Sequence, residues 1–212
     1  MEIITNYRWE RAADGGINPV SLVLQHVKLK GREVCLLCIC NSSRQEKGGC
    51  MAEQLVEWFH RVCLPACEGR KLPMPEELLE SELRHIRREL TAQKAESPED
   101  VLDYGGMLLI GSRFYLFGEG EVMVRLVNYR YNRPQLKPLT APLCGRIQRG
   151  AGLLLYTPGL VSHLEIEEMC QILHGEGPWR EERLGRRLKE LFQESRSRGN
   201  TAEAGGIYLQ MI

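Results

Sequence analysis

Apolar residues recur at alternate positions from Val20 to Lys30, at Val20, Leu22 and Leu24, and again at Val27 and Leu29. This period predicts a strand with one buried face, and Gly31-Arg32 predicts a hairpin turn behind it. Glu33 to Cys40 is apolar on both faces, the pattern of a central, buried strand. Asn41 to Gly49 is polar and ends in glycine, so a loop is predicted. The period then becomes helical. Ala52, Leu55, Val56 and Phe59 predict a first helix from about Gly49 to Val62. Pro65, Gly69 and Pro73 break the stretch from Leu64 to Met74. Pro75 suits the first turn of a second helix reaching about Lys94, with an apolar stripe of Leu79, Leu83, Ile86 and Leu90. Its Glu- and Arg-rich outer face predicts a solvated surface with i,i+4 pairs.

Three short strands are predicted next: Met107 to Ile110, Arg113 to Phe117 and Glu121 to Asn128. Gly111-Ser112 and Gly118-Glu119-Gly120 are the turns between them. The prolines at 134, 138 and 142 predict an irregular stretch from Tyr129 to Cys144. Leu153 to Tyr156 predicts another strand. Ser162 and Glu165 have capping-box spacing, which opens a helix ending near Gly175. A last helix carries Leu184, Leu188, Leu191 and Phe192, and Gly206 to Ile212 closes as a strand with Ile207, Leu209 and Met211 alternating. About seven strands and four helices, with strands joined by short turns, predict an α+β fold of antiparallel sheets covered by helices. A length of 212 residues fits a single domain, 1–212, with a core that needs no disulfides.

Charge and composition narrow the function classes. The 28 basic and 28 acidic residues cancel, which argues against nucleic acid or an anionic membrane as partner. No apolar run is long enough to span a bilayer, and residues 1–10 lack a signal-peptide core, so a cytoplasmic location is expected. Eight cysteines raise the question of a metal or redox site. Strand alternation puts Cys38 and Cys40 on one face and Cys35 on the other, so the Cys35-x2-Cys38 pair reads as small buried hydrophobes. A cysteine nucleophile, Cys40 or Cys50 with His26 or His60, lacks any C-x5-R phosphate cradle. Among the 28 acidic residues only Asp14, Asp100 and Asp103 are aspartates, and the last two fall in a linker-like segment.

The stretch Gly150-Ala151-Gly152-Leu153-Leu154-Leu155-Tyr156-Thr157-Pro158-Gly159-Leu160 resembles the late motif G-D-x-L-L-L-C-[ST]-D-G-L of the metal-dependent PPM-type (2C class) serine/threonine phosphatases. Earlier echoes occur in the same order as in that family. Ala13-Asp14-Gly15-Gly16 resembles the start of T-D-x-G-x-x-R-x-x-N-E-D. Cys40-Asn41-Ser42 occupies the place of A-D-G, with Gly48-Gly49 behind it. Tyr104-Gly105-Gly106 resembles the G-T-T strand, Gly120-Glu121-Val122-Met123 the G-D-S-R turn, and Gly205-Gly206-Ile207-Tyr208 the terminal D-N-x-T.

The resemblance implies a four-layer α-β-β-α sandwich with two antiparallel sheets. It also maps a degenerate two-metal site onto Asp14, Leu24, Asn41, Ser42, Glu121, Thr157, Pro158, Gly205 and Gly206, four of which stand where the family has a metal-binding aspartate. The early Asp falls on Leu24 in one register and on Val20 in a shorter one. Asn41, Pro158 and Gly205 stand where further metal-binding aspartates would be. A binuclear Mg²⁺ or Mn²⁺ centre needs several converging carboxylates. The expectation is therefore a pseudophosphatase with no cofactor and no catalytic residues. It would bind a protein partner such as a serine/threonine kinase or a phosphoprotein. The alternative is a residual metal-dependent phosphatase, with Glu119, Glu121, Asp14 and Asn41 holding one Mn²⁺ or Mg²⁺.

Overall fold

The computed structural model describes residues 2–12, 20–42, 45–69, 71–92, 102–130, 133–161, 163–174 and 180–212, without the side chains of 45–48, 90–92 and 130. Two five-stranded sheets make the centre. The first is ordered β2 (Val20–Leu29), β3 (Arg32–Ser42), β4 (Leu102–Ile110), β5 (Arg113–Glu119) and β8 (Leu143–Arg146). The second is ordered β1 (Ile3–Glu10), β10 (Ala204–Met211), β9 (Gly152–Tyr156), β6 (Met123–Arg130) and β7 (Arg133–Leu139). All the pairings are antiparallel.

Three apolar layers hold the sandwich together. Leu37, Ile39, Leu109 and Leu116 of the first sheet meet Leu153, Leu155, Ile207 and Leu209 of the second. The outer face of the first sheet, with Leu36, Cys38, Cys40 and Leu108, is covered by Leu55, Phe59, Leu79, Leu83 and Ile86. These come from α1 (Gln45–Trp58), the π-helical turn Phe59–Cys63 that follows it, and α3 (Pro75–Ala92). Leu154, Tyr156 and Tyr208 on the outer face of the second sheet pack against Leu160, Met169, Leu184, Leu188 and Phe192. Those belong to α4 (Pro158–Val161), α5 (Ile166–Leu173) and α6 (Glu181–Ser197). The result is the expected four layers, α-β-β-α, with the first two long helices together on one face.

Several elements depart from the sequence reading. β1 was not anticipated; its Arg8 and Glu10 pair with each other and mask the alternation of a strand packed under α6. The stretch predicted to be irregular forms β7 and β8. Pro134 and Pro138 are tolerated because β7 lies at the sheet edge and bonds only to β6. The first helix begins four residues earlier than expected and does not stop at Val62. Its π turn bonds Leu64 N–H to Phe59 O, and this wider loop admits Pro65 into the short helix α2 (Leu64–Cys67). The capping box belongs to Glu165 and Glu168, with Glu168 Oε2 accepting from the Glu165 N–H at 2.8 Å. Ser162 lies outside the described residues. β4 starts at Leu102, so Asp103 sits in a strand and not in a linker.

Candidate functional site

Strand pairing brings a row of residues together at one end of the inter-sheet layer. On β3, Ile39 faces the opposite sheet, so by alternation Asn41 does too. Asn41 is paired with Val20 on β2 and with Asp103 on β4, which places all three on one inner row. The facing row comes from the other sheet. Gly205 is paired with Trp9, and Thr157 follows the end of β9. Thr157 is nearly fully buried and makes a two-way clasp with Gly205: its N–H donates to Gly205 O, and its Oγ1 accepts from Gly205 N, both at 3.0 Å.

At Gly205 the two rows meet through hydrocarbon. A Cβ placed on Gly205 would lie 2.8 Å from Val20 Cγ1, 3.4 Å from Leu22 Cδ2 and 3.7 Å from the Thr157 methyl. Val20 itself is buried. The two sheets therefore touch through an aliphatic side chain at this point. A carboxylate on that side, Glu203, is already committed: its Oε1 accepts from the Trp9 indole at 2.7 Å and from the Val20 N–H at 3.3 Å. Burial raises the Glu203 carboxyl above its usual range, against the lowering effect of those two donors.

Pro158 opens α4 directly after Thr157, a position that suits its fixed φ, and it carries no ligand atom. Leu24 is paired with Leu37 in the middle of β2, away from the Asn41 rung. Ser42 is buried at the end of β3. Gly206 faces the other way, where a Cβ would meet Phe192, Leu160 and Leu188. Glu121 is exposed in the β5–β6 turn. Asp14 lies outside the described residues.

Asp103 was passed over in the sequence because two aspartates near Pro98 read as a linker. Its partner is the β5–β6 turn. Gly120, at φ +87°, is seated on the Asp103 carboxylate, where any Cβ would collide. Burial raises the Asp103 carboxyl above its usual range, Glu121 and Glu119 add to the rise, and the Glu121 backbone N–H opposes it. Three carboxylates thus lie at the rim, but among the described residues no group of three or more His, Cys, Asp or Glu is arranged to hold a metal ion.

The donors at Asn41, Thr157, Pro158 and Gly205 do not suit a Mn²⁺ or Mg²⁺ pair. Asn41 offers a neutral amide, Thr157 Oγ1 is already an acceptor, Pro158 and Gly205 offer no side-chain oxygen, and Val20 fills the gap.

Cys35, Cys38 and Cys40 are small buried side chains, as their alternation predicts. Cys35 lies in the inter-sheet layer, while Cys38 and Cys40 face the helices with their sulfurs 3.6 Å apart. Burial pushes the Cys35 and Cys38 thiols far up, so they remain protonated and unreactive. His26 bonds Glu33 at 2.6 Å and His60 bonds Gln25 at 3.1 Å. Beside the site, a groove of about 660 Å³ runs between the β5–β6 turn and the end of β7, lined by Glu119, Glu121, Met123, Leu139, Ala141 and Pro158 among others. No helix among the described residues is long and apolar enough to cross a membrane.

No protein-family model matches the sequence, and no curated protein is significantly similar to it. The fold, by contrast, is shared with solved phosphatases along nearly the whole chain. The serine/threonine phosphatase Stp1 from Staphylococcus aureus superposes with a TM-score of 0.78 at 13% identity, covering 100% of this chain and 96% of that one. The catalytic domain of the serine/threonine phosphatase PstP, solved with two manganese ions, gives 0.74 at 13%, covering 99% of each chain. The PPM Ser-Thr phosphatase MsPP from Mycobacterium smegmatis, in complex with cacodylate, gives 0.74 at 7%, covering 98% of each. The chain has the PPM-phosphatase fold.

Proposed function

We propose that this chain is a pseudophosphatase: a protein that keeps the PPM-phosphatase fold, has lost the phosphatase chemistry, and acts in the cytoplasm by binding a signalling partner. The observation that carries this reading is the Val20–Gly205 contact, with Leu22 and the Thr157 methyl around it. Hydrocarbon occupies the inter-sheet gap beside the positions where the resembling family carries metal-binding aspartates. Without two cations there is no activated water and no charge clamp for a phosphoryl group. A retained fold with such a packed end is best suited to recognition, and a serine/threonine kinase or a phosphoprotein is the expected partner class. The test is release of aryl alcohol from an aryl phosphate with Mn²⁺ and with Mg²⁺. The rate should equal the protein-free blank. Turnover that depends on Mn²⁺ and is lost in Glu121→Ala would establish the residual enzyme instead.

That second reading, a metal-dependent phosphatase with an atypical site, has one observation in its favour. Asp103, Glu119 and Glu121 crowd the same end of the sandwich, close enough that the two glutamates raise the Asp103 carboxyl. A single metal there would lack the two-sided clamp on nucleophile and phosphate.

A further inference from the structure

The groove beside the packed site has a floor and a rim of different chemistry. Gly105, Phe117, Val122, Pro138, Leu139 and Ala141 supply an apolar floor and far wall. Met123 stands at the lip with 39% of its surface exposed, one of few large hydrophobic side chains left in water. The near rim is the β5–β6 turn. Gly120 at positive φ folds this turn onto Asp103 and sets Glu119 and Glu121 side by side above the groove. The local charge is unbalanced although the chain as a whole is neutral. Arg87 forms an ion pair with Glu119 at 3.8 Å and also bonds the Tyr104 hydroxyl, which leaves Glu121 as the rim carboxylate to be met. Arg125, at the far end, is held by the Tyr156 hydroxyl. Asp103 and Glu121 form no ion pair among the described residues, and their mutual repulsion is part of what raises the Asp103 carboxyl.

Resting on the protein-binding reading above, we propose that this groove is the docking site for the partner, and that the occupant is an extended segment presenting a Lys or Arg side chain next to an apolar one. The cation sits between Glu119 and Glu121 and relieves the repulsion among three carboxylates. The apolar side chain covers Met123 and Leu139 in the groove. Charge complementarity of this kind sets orientation and excludes wrong partners more than it adds affinity. A phosphoryl group is disfavoured at the same place, because it would meet Glu119 and Glu121 at the rim.

The test uses the full chain, isotopically labelled, titrated with three dodecapeptides observed by amide NMR. One alternates Lys or Arg with Leu, one replaces every cation by Glu, and one carries phosphoserine in a neutral, Leu-containing background. The basic peptide should shift the amides of Glu121, Val122, Met123 and Ala141. Raising the salt should weaken it, as expected for exposed charges. The double change Glu119→Gln and Glu121→Gln should weaken it by about tenfold, two surface charges' worth of attraction. The fold of that variant is checked by its unchanged spectrum elsewhere. No groove shifts with the basic peptide, equal binding by the double variant, or a preference for the acidic or phosphoserine peptide would each overturn the proposal. None of these outcomes bears on the aryl phosphate assay. Equally, Mn²⁺-dependent turnover would remove the pseudophosphatase reading and leave the peptide result standing.

Discussion

At the scale of single residues, Gly205 and Asp103 carry most of the account. Gly205→Asp restores a carboxylate by name, yet its Cβ would be driven to 2.8 Å from Val20 Cγ1 in a buried layer. The carboxylate would also be buried without a partner. The expected loss is about 2–4 kcal/mol by urea denaturation. Val20→Ala in the same chain should recover part of it, because the two changes share one contact and are not additive. Additive losses would mean that the Val20 contact is not what closes this end. Asp103 gives a pH prediction. Its carboxyl is raised in the folded state, so the folded protein holds that proton more tightly than the unfolded one does. The stability this supplies is complete below the usual carboxylate range and is lost as pH rises through the raised value. Asp103→Asn keeps an acceptor for the Glu121 N–H and removes the charge. It should stabilise the protein at pH 7 by under about 1 kcal/mol, since water screens a half-buried group, and should show no gain at pH 4. Thermal melts at the two pH values check this. Legibility also divided at single residues. That Asn41, Pro158 and Gly205 carry no carboxylate could be seen in the letters. That Val20 fills the space, and that Asp103 joins the same row, are consequences of strand register that no local pattern encodes.

At the scale of elements, legibility followed how strongly one face is buried. β2, β3 and β9 were visible because their apolar runs are bounded by clear turns, and α3 and α6 because their leucine stripes hold helical period. β1 and β7 were missed because charged residues in one and prolines in the other interrupt the alternation that β2, itself an edge strand, keeps. One face or margin of each is open to water, which tolerates such residues. The same logic locates the stability of the outer layers. Leu188 is fully buried between α6 and the β10 backbone at Gly206. Leu188→Ala should therefore cost about 2–5 kcal/mol, seen as a lower urea midpoint with an unchanged slope. A loss within the range of surface substitutions would mean that α6 is only loosely docked.

At the scale of the whole molecule, the ten strands in two sheets among the described residues, with helices on both outer faces, reproduce a phosphatase architecture at 7–13% identity to the structures it superposes on. Such a fold survives because its determinants are the two-fold and helical periods of three apolar layers, which many sequences satisfy. Under the reading proposed above, the end where the resembling family binds metal is the part free to drift. Here that end is bridged between the sheets by Val20, with Glu203 tied to Trp9 and to the Val20 backbone. The measurement that tests this most directly is calorimetric titration of the purified chain with Mn²⁺ at neutral pH. The account predicts no saturable binding beyond the weak heat of exposed carboxylates at the Glu119–Glu121 rim. Tight uptake of two ions per chain would contradict it, because two ions held tightly require converging ligands where the packing described here puts aliphatic carbon.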